Sequence, residues 1–171
     1  MEARWLDEQE SLAWRALMSM MLRVPGPLDA QMQRDSGITL FDYFTLSYLS
    51  MAPERTLRMS ELAAVTNGSP SRLSNVVKRL EQRGWVVREP DASDGRYTLA
   101  RLTDAGYAVV VAAAPGHVEA VRAYVIDPLT TAQQRVLVDV ADRLQRERSK
   151  EGGWAPELFR PERRAETPEA L

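Results

Sequence analysis

The stretch 60–106 constrains the fold more than any other part of this chain. At its centre lies Pro70-Ser71-Arg72-Leu73-Ser74-Asn75-Val76-Val77-Lys78-Arg79-Leu80-Glu81-Gln82-Arg83, which divides into two faces at helical spacing. Leu73, Val76, Val77 and Leu80 recur at i, i+3, i+4 and i+7 and form one apolar stripe. With successive residues turned by about 100°, Ser71, Asn75, Lys78 and Gln82 fall opposite, and Arg72 and Arg79 stand beside them. A helix of this kind buries one side and presents the other.

Its flanks fix its setting. Ser60 is read as the cap of a short helix, Glu61-Leu62-Ala63-Ala64-Val65, and Asn67-Gly68 as a turn. Ser69 is placed to cap the central helix, with Pro70 at its first position and Gly84 ending it. Two β-rich runs follow, 85–89 and 97–102, joined through Asp91-Ala92-Ser93-Asp94-Gly95-Arg96 as a hairpin tip. Thr103 then caps another helix, with Asp104 suited to its dipole. The order is helix, turn, helix, hairpin.

Longer helices are expected on either side. One runs from about residue 7 to 33, interrupted at Pro25-Gly26-Pro27 and stopped by Asp35-Ser36-Gly37. Its apolar residues, including Leu12, Trp14, Leu17, Met18 and Met21, predict packing against several elements. A second helix spans about 40–51 and ends before Pro53. After the hairpin, a helix from Thr103 carries a kink or break at Pro115-Gly116 and continues to about Ile126. Thr130-Thr131-Ala132-Gln133 has the capping-box pattern and opens a last helix bearing Val136, Leu137, Val140 and Leu144 on one face. From about residue 149 the chain turns polar and a weakly ordered tail is expected. The fold class is therefore mainly α with a small β-hairpin.

Composition excludes several chemistries. With no cysteine, disulfide scaffolds, thiolate metal sites and thiol redox sensing are ruled out, and a single histidine, His117, rules out imidazole-rich metal sites within one chain. No cofactor or metal is expected. The chain carries no Gly-rich phosphate loop and no nucleophile–base pairing, so no catalytic residue is assigned. No apolar run is read as approaching the ~20 residues that span a bilayer, and the N-terminus lacks a signal peptide's pattern, so a cytoplasmic protein with no membrane partner is expected. Net charge is −2, yet residues 69–101 hold seven cations against four carboxylates, which leaves −5 for the remainder. Positive charge is concentrated on the amphipathic helix and hairpin, where a polyanion's surface would be met.

Taken alone, the Arg72, Asn75 and Lys78 face reads first as a merely solvated helix face, and its side chains equally offer the groups that double-stranded DNA needs. Arg can pair with guanine and Asn with adenine, whereas Lys78 and Arg79 suit phosphates. Ser69 and Ser71 stand at a helix start, where hydroxyls and free amides meet phosphate, although Ser69 is equally a cap. Arg96 suits a narrow minor groove, and an ion pair with Asp94 is compatible with that role.

Several segments together resemble the MarR (multiple antibiotic resistance regulator) family over roughly residues 11–146. Arg58-Met59-Ser60-Glu61-Leu62-Ala63 resembles the family's first helix-turn-helix element, and residues 74–86 resemble its recognition helix and following strand. The wing is the most specific match: Asp94-Gly95-Arg96, then Leu102-Thr103-Asp104-Ala105-Gly106. The resemblance implies a winged helix-turn-helix DNA-binding lobe over residues 37–102. Dimerisation helices would occupy residues 1–36 and 103–148, followed by a flexible tail over 149–171. It further implies a homodimer on a pseudo-palindromic operator, with each recognition helix in a major groove and each wing in a minor groove. Family members usually repress transcription and release DNA when a small molecule binds, often an aromatic or phenolic one. DNA-binding candidates are thus Ser69, Ser71, Arg72, Asn75, Lys78, Arg79 and Arg96, with Asp94 and Gly95 shaping the wing. Ligand-pocket candidates are Trp14, Met18, Phe41, Tyr43, Phe44, Tyr107 and His117, although each of the first six reads first as ordinary core and His117 first as a packed or surface histidine. The alternatives are a winged-helix protein-interaction module and an architectural DNA-binding module without operator specificity.

Overall fold

A computed structural model describes residues 3–150, with side chains through 144, so most of the tail expected over 149–171 lies outside the described residues. The helix expected over 7–33 is two. Helix α1 (Glu8–Arg23) starts at Asp7, whose side chain and that of Glu10 form a reciprocal cap, and α2 (Pro25–Ser36) follows after Val24. Proline at the first position of a helix loses no intrahelical bond, so Pro25 begins a new helix instead of bending the old one. Gly37, with φ 65°, ends α2 in the left-handed conformation that glycine adopts without strain.

Helix α3 (Leu40–Met51) is capped by Thr39 and Asp42, and Leu40 N–H donates to Asp29 Oδ1 at 2.7 Å, which fixes α3 against α2. A single 3₁₀ turn (Pro53–Arg55) then leads into strand β1 (Thr56–Arg58), too short to leave a signature in the sequence. Glu54 and Arg55 both take left-handed φ, 53° and 52°. Side chains pay for such backbone only where their surroundings hold them. Here the Arg55 guanidinium lies 3.9 Å from the Tyr107 ring centroid and 3.0 Å from Asp104 Oδ1.

Helix α4 (Met59–Val65) begins two residues earlier than expected. Ser60 is not its cap; Arg58 occupies that position, and its backbone N–H donates to Glu61 Oε2 at 3.0 Å. The strand runs straight into the helix, so the capping carboxylate comes from within. Asn67, at φ 49°, turns the chain toward α5 (Pro70–Gln82), where Ser69 is the cap as expected. Strands β2 (Val86–Pro90) and β3 (Thr98–Leu102) form the wing, and the sheet order is β1-β3-β2, antiparallel throughout, with Leu57 opposite Ala100 and Val87 opposite Arg101.

Helix α6 (Asp104–Val121) is capped by Thr103 and runs through Pro115 without a break. It continues as a π-turn (Arg122–Ile126) and is followed by α7 (Thr131–Lys150). Residues 104–126 form one helical stretch that is long and apolar enough to cross a membrane by length and composition, which corrects the expectation that no run approaches that length. Val110, Ala113, Ala114 and Ala120 of this stretch are buried, and it packs against α2 and α3 as a core helix does.

One core joins α2 through α6. Met32, Leu46, Leu49, Leu62, Leu73, Val77, Leu80 and Ala100 are fully buried within it. All four apolar residues of the α5 stripe are buried, each removing from water an area worth about 1.5–3 kcal/mol as an upper estimate. That anchoring sets which side of α5 faces out. Helix α1 behaves otherwise: none of its residues is buried, contrary to the packing its pattern predicts.

Candidate nucleic-acid interface

Helix α5 stands on the α3–α4 layer with its polar strip outward. Ser69, Ser71, Arg72, Asn75, Lys78 and Arg79 are all exposed. Ser69 Oγ accepts the Arg72 N–H at 3.3 Å and lies 3.3 Å from Ser71 Oγ, so two hydroxyls and the first free amides share one helix end.

The cations of this strip differ in how they are held. Arg79 is ion-paired with Asp42 of α3, a nearly fully buried carboxylate, so this guanidinium ties the outward helix to the core before any phosphate is considered. Arg88 pairs with Glu81 at 2.6 Å, and Arg101 with Glu89 at 3.3 Å. Arg72 instead stacks over Phe41, 4.0 Å from its centroid, and Arg83 over Trp85, at 4.8 Å. Lys78 has no ion pair among the described residues. The net +3 of this region is therefore carried by Arg72, Lys78 and Arg83.

At the wing tip Arg96 and Asp94 are bound to each other. Arg96 Nε donates to Asp94 Oδ1 at 2.9 Å and Nη2 to Oδ2 at 2.6 Å, while the Arg96 backbone N–H also donates to Oδ1 at 3.1 Å. These bonds from Arg96 hold the Asp94 carboxyl below its ordinary range and push the Arg96 guanidinium up. The Arg96 side chain is 84% exposed, and its guanidinium has N–H groups to spare.

Below the tip sits a node that sequence reading misses. Asp91 accepts from the Ser93 hydroxyl at 2.6 Å, from the Ser93 N–H at 2.8 Å and from Arg58 Nε at 2.9 Å. Those Ser93 bonds first, then Arg58, bring its pKa down to about 2. Arg58 also lies 4.4 Å from the Tyr97 ring centroid, so β1 and the start of α4 are clamped to the hairpin stem. Asp followed two residues on by Ser is a visible turn signal, but Arg58 is 33 residues away and nothing local announces it.

The ligand-pocket candidates do not form one set. Tyr43 and Phe44 meet His117, with ring centroids 4.7 and 6.0 Å away. Phe41 lies instead under Arg72 and Tyr107 under Arg55, while Trp14 is 52% exposed on α1. Met18 is on α1 as well, a helix with no buried residue. Two polar side-chain atoms are buried without hydrogen-bond partners among the described residues: His117 Nδ1, and Oε1 of Gln31, whose amide end lies against Gly116. Gln31 Nε2 is engaged by Asp35 Oδ2 at 2.9 Å. Gln31 carries no sequence signal for this place.

Burial pushes the His117 pKa below its ordinary value. A folded pKa below the unfolded one means that stability is full above about pH 6.5 and is lost as pH falls through that value. The thermal midpoint is therefore expected to drop between about pH 7.5 and pH 5.5, and His117→Phe should shrink that drop. An identical pH profile in the variant would remove His117 from the account.

An amphipathic helix exposing a polar strip, followed by an arginine-tipped hairpin, defines a winged helix-turn-helix DNA-binding protein. The MarR family matches residues 36–96. A MarR family transcriptional regulator from Streptomyces coelicolor, Sco3205, solved in complex with DNA, is 45% identical with a TM-score of 0.78, covering 84% of this chain and 89% of that one. AbsC, another MarR family regulator from that organism, is 34% identical with a TM-score of 0.76, covering 89% and 100%. An HTH-type transcriptional repressor from Mycobacterium tuberculosis is 34% identical over 108 residues, 63% of this chain and 76% of the relative. The chain belongs to the MarR family of transcriptional regulators. Its family and fold are those of regulators, not of enzymes.

Proposed function

We propose that the protein is a cytoplasmic, ligand-responsive repressor that binds a pseudo-palindromic operator as a homodimer. The observation that carries this reading is the outward strip Ser71, Asn75 and Lys78 on α5, set beside the Asp94-aimed guanidinium of Arg96. The similar Streptomyces regulator solved with DNA supports the same use. Arg72 and Asn75 take base edges, Lys78 and the Ser69–Ser71 helix end take phosphates, and Arg96 enters the minor groove. Arg79, already paired, holds α5 in place and meets phosphate only at its exposed side.

Apolar surface supports the dimer. Trp14, Met21 and Leu22 of α1 and Val136, Val138, Val140 and Leu144 of α7 are exposed, more than single scattered residues on a monomer. Residues 1–36 and 103–148 would meet a second copy there, and residues 37–102 would carry the DNA lobe. The unpartnered His117 Nδ1, on a ring packed against Tyr43 and Phe44, supports a small-molecule site linked to DNA release by a population shift.

Fluorescence anisotropy tests this at about 150 mM salt, where non-specific binding is weak. The probe is the intergenic duplex beside the protein's own gene, against a shuffled duplex. The expected result is nanomolar binding, two chains per duplex and at least ~1,000-fold preference, relieved by an aromatic acid or phenol. Equal, weak binding to both duplexes would favour an architectural or protein-binding role.

A further inference from the structure

We propose that Phe41 is a positioning residue for base readout: its ring is the platform that aims Arg72 at a guanine, and Gly68 is the residue that leaves the ring its place. This rests on the operator-binding reading above.

Adjacent residues of α3 grip two arginines of α5 that are seven residues apart and so share one flank of the helix. They grip them differently. Asp42 neutralises Arg79 with a buried carboxylate. Phe41 meets Arg72 with a ring face, 4.0 Å from the guanidinium carbon. A stacked guanidinium keeps its whole charge and all its in-plane N–H donors, the edge that pairs bidentately with guanine O6 and N7. Among the described residues that edge makes no hydrogen bond; only the Arg72 backbone N–H does, to Ser69. Arg72 is thus held in direction yet left chemically unspent. Lys78, equally exposed, has no comparable support in the described residues.

Gly68 completes the argument. The left-handed residue of this turn is Asn67, at φ 49°, and Gly68 is not among the glycines with positive φ. Backbone conformation therefore does not require glycine there. Space does: a Cβ on Gly68 would lie 2.8 Å from Phe41 Cζ and 3.4 Å from Cε2. The ring tip can swing aside, so alanine at this position displaces the platform while both Arg72 and Phe41 keep their identity.

The test measures base preference with the full-length protein. Wild type, Gly68→Ala, Phe41→Leu, Arg72→Ala and Gly68→Ala/Arg72→Ala are titrated against the operator and its single-base variants, with melting curves as folding controls. Arg72→Ala is expected to erase preference at one G·C pair of each half-site, by about tenfold or more. Gly68→Ala and Phe41→Leu should each weaken preference at that same pair severalfold, spare the other positions and leave the salt slope unchanged, because no charge is lost. Gly68→Ala should add nothing once Arg72 is absent. Preference intact in both Gly68→Ala and Phe41→Leu, or affinity lost evenly at every position, overturns the proposal. A wild-type protein with no preference for any duplex overturns the operator reading too, and shows this before any variant is compared.

Discussion

Gly106→Ala is expected to destabilise the protein by about 3 kcal/mol, in the upper part of the overpacking range, and so to lower its thermal midpoint by roughly 6–12 °C. Helix propensity alone argues the other way. In a helix interior alanine is favoured over glycine by about 1 kcal/mol. The site decides the sign. A Cβ on Gly106 would sit 2.2 Å from the Trp85 carbonyl oxygen and 2.7 Å from Leu102 Cδ1. The first of these is backbone and is not free to leave. Trp85 O accepts the Thr103 N–H at 3.0 Å, and Thr103 Oγ1 donates to Gly84 O at 2.8 Å while accepting the Gly106 N–H at 3.0 Å. The start of the wing and the start of α6 are laced together at this point. Trimming Leu102 should therefore fail to rescue the alanine variant, because the carbonyl clash remains. A thermal melt within about 2 °C of wild type, the shift of less than 1 kcal/mol, would mean that the joint has slack the geometry denies.

Arg96→Ala should lower operator affinity roughly ten- to a hundredfold and reduce the salt slope by about one, with the melting curve nearly unchanged. The guanidinium projects from a hairpin whose stem is separately secured by the Asp91–Arg58 node, so its removal leaves the wing standing. Asp94→Asn gives a useful intermediate. It keeps the cation but loosens the fork that points it, so affinity should fall by less than in Arg96→Ala and the salt slope should hold. Anisotropy over a salt series measures all three proteins. Unchanged binding by Arg96→Ala at physiological salt would sink the winged mode of recognition.

Much of this was legible in the residues because the signals were local. Leu73, Val76, Val77 and Leu80 mark their own buried face, Ser69 and Thr103 mark helix starts, and the Asp94-Gly95-Arg96 tip lies within its own hairpin. What escaped was long-range. Asp42 finds Arg79 across 37 residues, and Arg58 finds Asp91 across 33. No periodicity encodes such pairs, because they depend on how α3 and β1 are laid against α5 and the wing. Phe41 and Tyr107 were aromatic in the right proportion for a pocket, yet each lies beneath an arginine. Helix α1 had the pattern of a core helix and no core in its own chain to meet.

The pairing of arginines with carboxylates around the recognition helix bears on how the protein moves through a genome. Arg79, Arg88, Arg96 and Arg101 each arrive with a counter-charge already beside them. Their fields largely cancel within a Debye length, about 8 Å in the cell. Random duplex is then drawn from a distance only by the net +3 of Arg72, Lys78 and Arg83, a weaker pull than a uniformly basic surface with all seven cations would exert. On the operator-binding reading, search would be a series of brief touches, ended quickly unless the bases beneath α5 fit. Selectivity in such a molecule is expressed as residence time on the right sequence, with arrival rates nearly the same everywhere.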